Sequence, residues 1–477
     1  MNQELQQNRT KRFLKAIGLY AIGNLGSKLI TFLMVPLYTY FVDSADYGLY
    51  DLYLTLVMAL IPVMILQLRD GAFRFMIDND DENRRRLVVT FTYKVVITTS
   101  LILIALGSIF SLFHSINYMW YAIALLIVMS FYEVVTQMVR GIDETVCFVQ
   151  AGIMTSIGIG VFSVLFLIVW DLGVVGIFLA NIVARIVSMI YIEFKTKMLR
   201  RFFTIKPNYG ELRREILKYS LPLLPGVLCW SLLFGCDRFF VEHFLGLKVN
   251  GQYAVVARFA SIIQTLGIVF FQAWQEIALI HYKSKDRDVF FSRIFNLYIY
   301  VLLFIAIMVA FVVKINYGWL VDVQFQNGVG LMFPFAMVMV VYSLSNFMDL
   351  GYQCTCETKR TLPALIVASM CCIALNYLLV PVLGMWGAVS ATLLSQLGLC
   401  IYRGYDVRRY FKLSISRVVI LPMLILIVSA IAYYLIDDNY ILVGYLVVIA
   451  LIMIIYAPAE LKNMVKVKLG KKNNNIE

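Results

Sequence analysis

Long apolar runs follow one another along the chain and limit it to one kind of fold. The fourteen runs cover residues 15–41, 47–68, 87–112, 118–139, 146–170, 174–194, 220–245, 250–275, 290–313, 329–350, 361–381, 385–403, 417–436 and 440–458. An apolar helix needs about 20 residues to cross the hydrocarbon core of a bilayer. Because the runs are continuous rather than alternating, they predict helices and not the strands of a membrane barrel. We therefore expect an all-α polytopic membrane protein with about 14 transmembrane helices.

The composition supports a membrane protein and argues against a soluble one. Hydrophobic residues make up 61% of the 477 residues and charged residues only 15%. A soluble domain is typically about 45–50% apolar and about 25% charged, because polar groups must cover its surface. The eight cysteines and three histidines form no C-x-x-C or His-rich pattern. The sequence therefore predicts no metal site and no disulfide framework.

Basic residues are concentrated in the loops that follow the even-numbered runs. Arg69 and Arg74 follow the second run, and residues 195–219 form the most basic loop. The opposite loops are short and nearly free of Lys and Arg, with Lys248 and Lys314 as exceptions. By the positive-inside rule, this alternation predicts that both termini are cytoplasmic. It also explains the net charge of +12 through contact with anionic membrane lipids, without a nucleic-acid partner.

Two sequence matches indicate an internal repeat. Residues 47–50, Tyr-Gly-x-Tyr, match Asn-Gly-x-Tyr at 250–253, an offset of 203. Gly173 and Gly176, in a short turn, match Gly384 and Gly387 at an offset of 211. Tight turns between apolar helices favour glycine anyway, but two matches at nearly equal offsets favour a true repeat. A unit of six spans keeps its orientation in the second copy, so the repeats are parallel, as in some transporters.

The repeat predicts four segments along the chain. Residues 1–194 form an N-lobe of helices 1–6, and residues 195–219 a basic cytoplasmic linker with an amphipathic helix. Residues 220–412 form a C-lobe of helices 7–12, and residues 413–477 hold helices 13–14 and a basic cytoplasmic tail. The matched spans of the two lobes are expected to face each other across a cleft.

Several ionisable residues lie inside the predicted spans, where each costs about 2.5–3.5 kcal/mol and so usually faces a cavity or a partner. They are Lys28, Glu133, Arg185, Asp237, Arg238, Glu242, Arg258, Glu276 and Asp349. Cations on spans 1, 6, 7 and 8 predict an anionic substrate, and Arg with Lys suits phosphate. Lys28 and Arg258 are the favoured contacts, because both lie well inside their spans.

Structural explanations compete with binding for the remaining ionisable residues. Asp237 and Arg238 either neutralise each other or face the cleft, and neighbours on a helix diverge by about 100°. Arg185 is expected to pair with Glu133 or to reach the headgroups. Arg69 follows the second run, where its charge can have the sole role of setting the orientation of the helices in the membrane. No grouping of residues has the spacing of a catalytic site, so the sequence favours a transporter over an enzyme.

Several segments together resemble a known family of transporters. They are "GNLGSKLITFLMVPLYTYFVDSADYGLYDLY", "LKYSLPLLPGVLCW", "CDRFFVEHFLG", "NGQYAVVARFASII" and "FFQAWQEIAL". As a set, they resemble the Wzx-type polysaccharide flippases of the multidrug/oligosaccharidyl-lipid/polysaccharide exporter superfamily. The likeness covers nearly the whole chain.

The resemblance implies a flippase in the bacterial inner membrane that turns undecaprenyl-pyrophosphate-linked oligosaccharides outward by alternating access. The product would serve O-antigen, capsule or exopolysaccharide synthesis, with a polymerase and glycosyltransferases as pathway partners. Lys28, Arg258, Arg238 and Arg69 are the candidate pyrophosphate contacts. Asp237 and Glu276 are the candidates for coupling to H⁺ or Na⁺, with no other cofactor.

Three other functions stay open at this level. A cation-coupled drug or metabolite exporter would have the same fold and repeat. A membrane enzyme, such as a polysaccharide polymerase or acyltransferase, would need a large outer loop or a polar catalytic cluster. A structural scaffold within an assembly complex is the third alternative.

Overall fold

The computed structural model describes residues 30, 32–77, 81–204, 210–355 and 357–458. Within these residues the secondary structure is helical throughout, and twelve helical segments are long and apolar enough to cross a membrane. Two shorter apolar helices, Phe32–Phe41 and Asn439–Ile455, accompany them. The protein is therefore an all-α polytopic membrane protein, as predicted. Twelve long spans lie in the described part, and the count of about fourteen stays a prediction.

The chain divides into two compact units. The first consists of Met1–Val255 and Leu365–Ala388, and the second of Val256–Ala364 and Val389–Glu477. This grouping follows contacts between helices, whereas the predicted boundaries at 194, 219 and 412 follow a repeat in the sequence. Those boundaries stay a prediction.

The first unit contains the helices of the first predicted lobe, two short helices of the predicted linker, and one whole helix and parts of others from the second predicted lobe. They are α1 (Phe32–Phe41), α2 (Ser44–Met64), α3 (Leu68–Ile77), α4 (Glu82–Phe113), α5 (Met119–Gly141), α6 (Thr145–Val164), α7 (Gly173–Thr196), α8 (Met198–Phe202), α9 (Leu212–Ser220) and α10 (Leu224–Leu245). The start of α11 (Leu247–His281) and most of α14 (Thr361–Leu383) complete it. The predicted linker helix corresponds to two short helices, α8 and α9.

The second unit contains the remaining helices. They are most of α11, then α12 (Arg287–Leu320), α13 (Met332–Cys354), most of α15 (Met385–Asp406), α16 (Ile420–Leu435) and α17 (Asn439–Ile455). Short polar caps start several helices in both units. Asp43 accepts from the Ala45 amide before α2, Asp81 from Asn83 before α4, and Asp438 from Tyr440 and Ile441 before α17. Such caps satisfy amides that have no partner within the helix.

The two matched glycine turns have the same backbone conformation. Gly173 (φ +53°) and Gly384 (φ +60°) both occupy the left-handed region, which a residue with a Cβ rarely adopts. Three residues later, Gly176 and Gly387 both lie close to neighbouring atoms, Gly387 far more so. A Cβ on Gly176 would lie 3.1 Å from Phe166, and one on Gly387 would lie 2.2 Å from the Leu379 carbonyl oxygen. Both halves thus use one glycine for the turn and the next for close helix packing.

The other match produces a reciprocal contact within the first unit, between α2 and the first turns of α11. A Cβ on Gly48 would lie 2.0 Å from the Leu247 carbonyl oxygen, and a Cβ on Gly251 would lie 2.0 Å from that of Ser44. Ser44 and Leu247 differ by the same 203 positions as the two glycines. The two helix starts therefore meet through equivalent atoms, related locally by a two-fold rotation. The Asn250 side-chain amide also donates to the Gly48 carbonyl, at 2.8 Å.

Lys314, which breaks the charge pattern of the loops, has a structural explanation in the second unit. Its ammonium donates to the carbonyls of Tyr433 and, at 2.8 Å, Ile436, at the end of α16. It also lies 4.9 Å from the centre of the Tyr433 ring. A cation at the C-terminal end of a helix satisfies its last carbonyls and complements the helix dipole.

We expect Lys314→Met to lower the stability of the protein, because the α16 carbonyls would lose a charged donor. Hydrogen bonds to charged groups contribute about 1.5–3 kcal/mol, which corresponds to several degrees in the thermal unfolding midpoint. Lys248→Met is the matched control, since Lys248 is exposed. Fluorescence-detected size exclusion after heating in mild detergent measures both. Equal midpoints for the two variants would contradict the assignment of Lys314 to α16.

Candidate functional site

A buried polar network joins α10 to α2 within the first unit. The Arg238 guanidinium donates through Nε to Asp51 at 2.6 Å and through Nη1 to Asp237 at 3.2 Å. Asp237 also accepts a hydrogen bond of 2.6 Å from the Tyr253 hydroxyl, at the start of α11. The side chains of Asp51 and Asp237 are 5% and 4% exposed, and that of Arg238 is 15% exposed. Three helix segments are thus connected by charged groups away from solvent.

The network shows the directions of the Asp237 and Arg238 side chains, which are neighbours on α10. Asp237 faces Tyr253, while the long Arg238 side chain folds back along its own helix and donates to the Phe234 carbonyl at 3.0 Å. Both residues therefore take part in one network although their Cβ atoms diverge. In this arrangement Arg238 already has two carboxylate partners. Its assignment to a substrate stays a prediction, as does the coupling role of Asp237.

Asp51 is a member of this network that the sequence reasoning missed. It lies in an apolar run, one residue after the repeat motif around Gly48. An ionisable residue inside a span was the available signal. Next to it, a Cβ on Gly235 would lie 2.6 Å from the Thr55 methyl group, so α10 and α2 approach closely where the ion pair forms.

Arg69 and Glu133 form a second ion pair within the first unit. The Arg69 guanidinium lies 3.1 Å from the Glu133 carboxylate, between α3 and α5. The two side chains are 45% and 30% exposed, so protein atoms enclose this pair far less than the one at Asp51. The expectation that Glu133 pairs with Arg185 is wrong in this respect: Glu133 forms its ion pair with Arg69.

Arg185 lies at the middle of α7 and, among the described residues, donates to neutral oxygens alone. Its Nη1 donates to the carbonyl and the side-chain oxygen of Asn181, at 2.8 and 2.9 Å. The Asn181 amide in turn donates to the Tyr50 hydroxyl at 3.1 Å and to the Ile177 carbonyl. Tyr50 itself is buried against Phe178. Asn181 is therefore held from two sides and fixes the position of the guanidinium.

The second unit has its own buried cations. Arg258 is half-buried on α11 among fully buried neighbours, and its carbonyl accepts from Ser261 at 2.7 Å. Arg403 on α15 is 2% exposed and lies 3.0 Å from Asp349 on α13. Arg403 also donates to the carbonyl and hydroxyl of Ser345. Arg403 thus forms an ion pair within this unit. Arg258 stays a candidate for substrate contact.

Two of the predicted site residues lie wholly or partly outside the described part of the structure. Lys28 lies outside the described residues. Glu276 lies on α11, but its side chain lies outside the described part of the structure. Among the residues that the structure describes, no group of three or more His, Cys, Asp or Glu side chains could hold a metal ion.

An apolar cavity of about 620 Å³ lies beside α8 in the first unit. Tyr93, Phe131, Met189 and Phe203 contribute to its wall, with Glu193 and Arg200 also in the lining. The Glu193 carboxylate accepts hydrogen bonds from the backbone amides of Leu199 and Arg200, at 2.8 and 3.3 Å. Because the lining is otherwise apolar, the cavity does not suit a sugar, which needs hydrogen-bond partners on most of its hydroxyls.

Comparison with known families gives one match. The family described as "Polysaccharide biosynthesis protein" matches residues 13–275, which is more than half of the 477 residues. A search of curated proteins found no match.

Solved structures with similar folds are membrane transporters. The lipid II flippase MurJ, in an inward closed conformation, matches with a TM-score of 0.70 and 13% identity over 95% of this chain and 100% of that one. An inward-facing multidrug resistance MATE family transporter of the MOP superfamily matches at 0.64 and 16% identity, over 82% of this chain and 97% of that one. An outward-facing one matches at 0.58 and 15%, over 83% and 95%. At these identities the likeness shows the fold that this chain shares with them.

Proposed function

Because the chain belongs to the family of polysaccharide biosynthesis proteins, we propose that it is a flippase for lipid-linked oligosaccharides. Its substrate is an oligosaccharide repeat unit on undecaprenyl pyrophosphate, which it moves from the cytoplasmic to the outer leaflet of the bacterial inner membrane. The observation that carries the proposal is the family match over residues 13–275 on a polytopic fold shared with a lipid II flippase. Polymerases and glycosyltransferases of the same pathway are its partners.

The charges inside the membrane-spanning helices support an anionic substrate. Lys28 and Arg258 are the proposed contacts for the pyrophosphate, with Arg238 and Arg69 as further candidates. A phosphate needs cations or N–H donors once it leaves water, because an unpaired charge is costly in a low-dielectric site. The sugars stay hydrated and the prenyl chain stays in the lipid. Asp237 or Glu276 exchanges H⁺ or Na⁺ when the protein returns to its starting state.

A drug or metabolite exporter is the second candidate, because the fold is also that of multidrug transporters. Such an exporter would raise drug resistance when expressed in a strain without its own pumps. A flippase for a pathway intermediate would leave resistance unchanged and would be needed for surface polysaccharide. Measuring both phenotypes in the same strain pair separates the two functions.

We expect Lys28→Ala and Arg258→Ala to abolish surface polysaccharide in a strain that lacks the native protein. Each removes one proposed pyrophosphate contact, and a hydrogen bond to a charged group contributes about 1.5–3 kcal/mol. Gel analysis of extracted surface polymer measures activity, and immunoblots of membrane fractions measure insertion. Lys248→Ala is the control, since it removes an exposed charge. Normal polymer from both variants would refute the proposed contacts.

A further inference from the structure

Arg185 is a charge that the packing of its helix does not require. It is the thirteenth of the 24 residues of α7, about 17 Å from either end at about 1.5 Å per residue. From this depth, the Arg185 side chain is too short to reach the lipid headgroups on either side of the membrane. An arginine at such depth usually faces a partner or a water-filled cavity.

Within the described part of the chain, the partners of Arg185 leave its charge uncompensated. Both of its hydrogen bonds use Nη1 and end on neutral oxygens of Asn181. Glu133 attracts it electrostatically, but no described carboxylate lies within ion-pair distance, and Glu133 is bound to Arg69 at 3.1 Å. Tyr50 and Tyr132 also lie close enough to interact with it electrostatically. The guanidinium is thus oriented but not neutralised.

The edge of the guanidinium that carries Nε and Nη2 has no hydrogen-bond partner among the described residues. These two N–H groups are parallel and match the two oxygens of a phosphate or carboxylate. The Arg185 residue as a whole is half-buried. Asn181 holds the opposite edge, which fixes the direction in which the free edge points.

The repeat gives an independent reason to conclude that the fold does not need the positive charge of Arg185. At the offset of 211 shown by the glycine turns, Asn181 corresponds to Thr392 and Arg185 to Gln396. Both residues on α15 are buried, 3% and 0% exposed, and their side-chain polar atoms have no described partner. Each half therefore places a polar pair at this helix position. Because the second half folds with a neutral amide there, the first half does not need a cation for packing.

We propose that the Nε–Nη2 edge of Arg185 binds a phosphate oxyanion of the transported lipid, as an anion contact within the first unit. This inference rests on the proposed function. It adds Arg185, for which the sequence predicted an ion pair with Glu133 or contact with headgroups. Asn181 and Tyr50 act as positioning residues, since they hold the guanidinium and do not themselves supply charge.

The test compares two short prenyl ligands that differ only in the anionic group. Farnesyl pyrophosphate and farnesol are titrated into the purified full-length protein in neutral detergent, with intrinsic fluorescence or calorimetry as readout. We expect the wild type to prefer farnesyl pyrophosphate. Arg185→Gln should reduce its affinity for that ligand about 10- to 100-fold, the loss of one charged contact, and leave farnesol unchanged. Arg185→Lys should keep part of the preference.

The possible outcomes separate failure of this inference from failure of the proposed function. A wild type without preference for the pyrophosphate would refute the anionic substrate, and with it both proposals. A wild type with preference that Arg185→Gln retains would refute Arg185 alone. A fall of both affinities in Arg185→Gln would show a structural role and also refute it. Displacement of farnesyl pyrophosphate by equimolar phosphatidylglycerol would assign the site to membrane headgroups, against the proposal.

Arg86→Gln is the matched control for this experiment. It also removes an arginine of the first unit, but one whose charge is paired with Glu82 at 3.3 Å and whose side chain is 45% exposed. We expect its preference for the pyrophosphate to match that of the wild type. A fall equal to that of Arg185→Gln would show a general effect of positive charge, against the proposal.

Discussion

Arg238→Ala is expected to cost the protein most of its folded yield. The substitution leaves Asp51 and Asp237 buried, 5% and 4% exposed, without the cation that both contact. Removing one partner of a buried ion pair typically costs about 3–5 kcal/mol, because an uncompensated charge stays in a low-dielectric site. That is a large part of the stability of an ordinary domain. Thermal unfolding followed by size exclusion in mild detergent measures the change.

Two comparisons test whether the buried charge causes this effect. Arg69→Ala breaks a pair that is far more exposed, and exposed pairs contribute about 0–1 kcal/mol, so its midpoint should change little. The triple variant Asp51→Asn, Asp237→Asn and Arg238→Met removes all three charges and should recover part of the stability. Equal losses for Arg238→Ala and Arg69→Ala, or no recovery in the triple variant, would contradict a buried charge network.

Gly48→Ala and Gly251→Ala are the second pair of substitutions with a large expected effect. Each new methyl group would overlap a backbone carbonyl oxygen at 2.0 Å, and a carbonyl within a helix cannot turn aside as a side chain can. Overpacking typically costs about 1–3 kcal/mol, and contact with backbone lies at the upper end of that range. The Asn250 hydrogen bond to Gly48 would be lost with it.

The control for these glycines predicts a change of opposite sign. Gly152 lies within α6, and a Cβ there would meet nothing within 4 Å. Alanine is favoured over glycine in a helix by about 1 kcal/mol, so Gly152→Ala should raise the unfolding midpoint while the other two lower it. A stabilising effect of Gly48→Ala would show that α2 and α11 are not in close contact.

The sequence was sufficient for the fold because apolar length determines a membrane helix almost alone. The run at 361–381 corresponds closely to α14, whereas α12 extends to Leu320, beyond the predicted end at 313. The extension includes Lys314, whose charge by itself indicates a loop. Its partners lie at the end of α16. Those partners lie more than a hundred residues away, and no local pattern identifies them.

The polar contacts were the part that sequence could not supply. The ion pair between Asp51 and Arg238 joins residues 187 positions apart, and the helical period relates only residues on one helix. The repeat did identify which glycines are equivalent, but not that Gly48 and Gly251 meet. For Arg185, the sequence predicted a cation inside a span that pairs with Glu133 or reaches the headgroups. The pair with Glu133 is wrong, because the choice between Arg69 and Arg185 for Glu133 depends on how α3, α5 and α7 pack.

The reciprocal contact of Gly48 and Gly251 has the geometry of an interface between two identical subunits, in which the same patch is used on both sides. In a homodimer, every substitution in such a patch is made twice. In one continuous chain each side changes alone. The residue before the glycine is already different, Tyr47 in one half and Asn250 in the other, and the same holds for Arg185 and Gln396. Joining the two helix starts in one chain therefore lets equivalent positions carry different side chains.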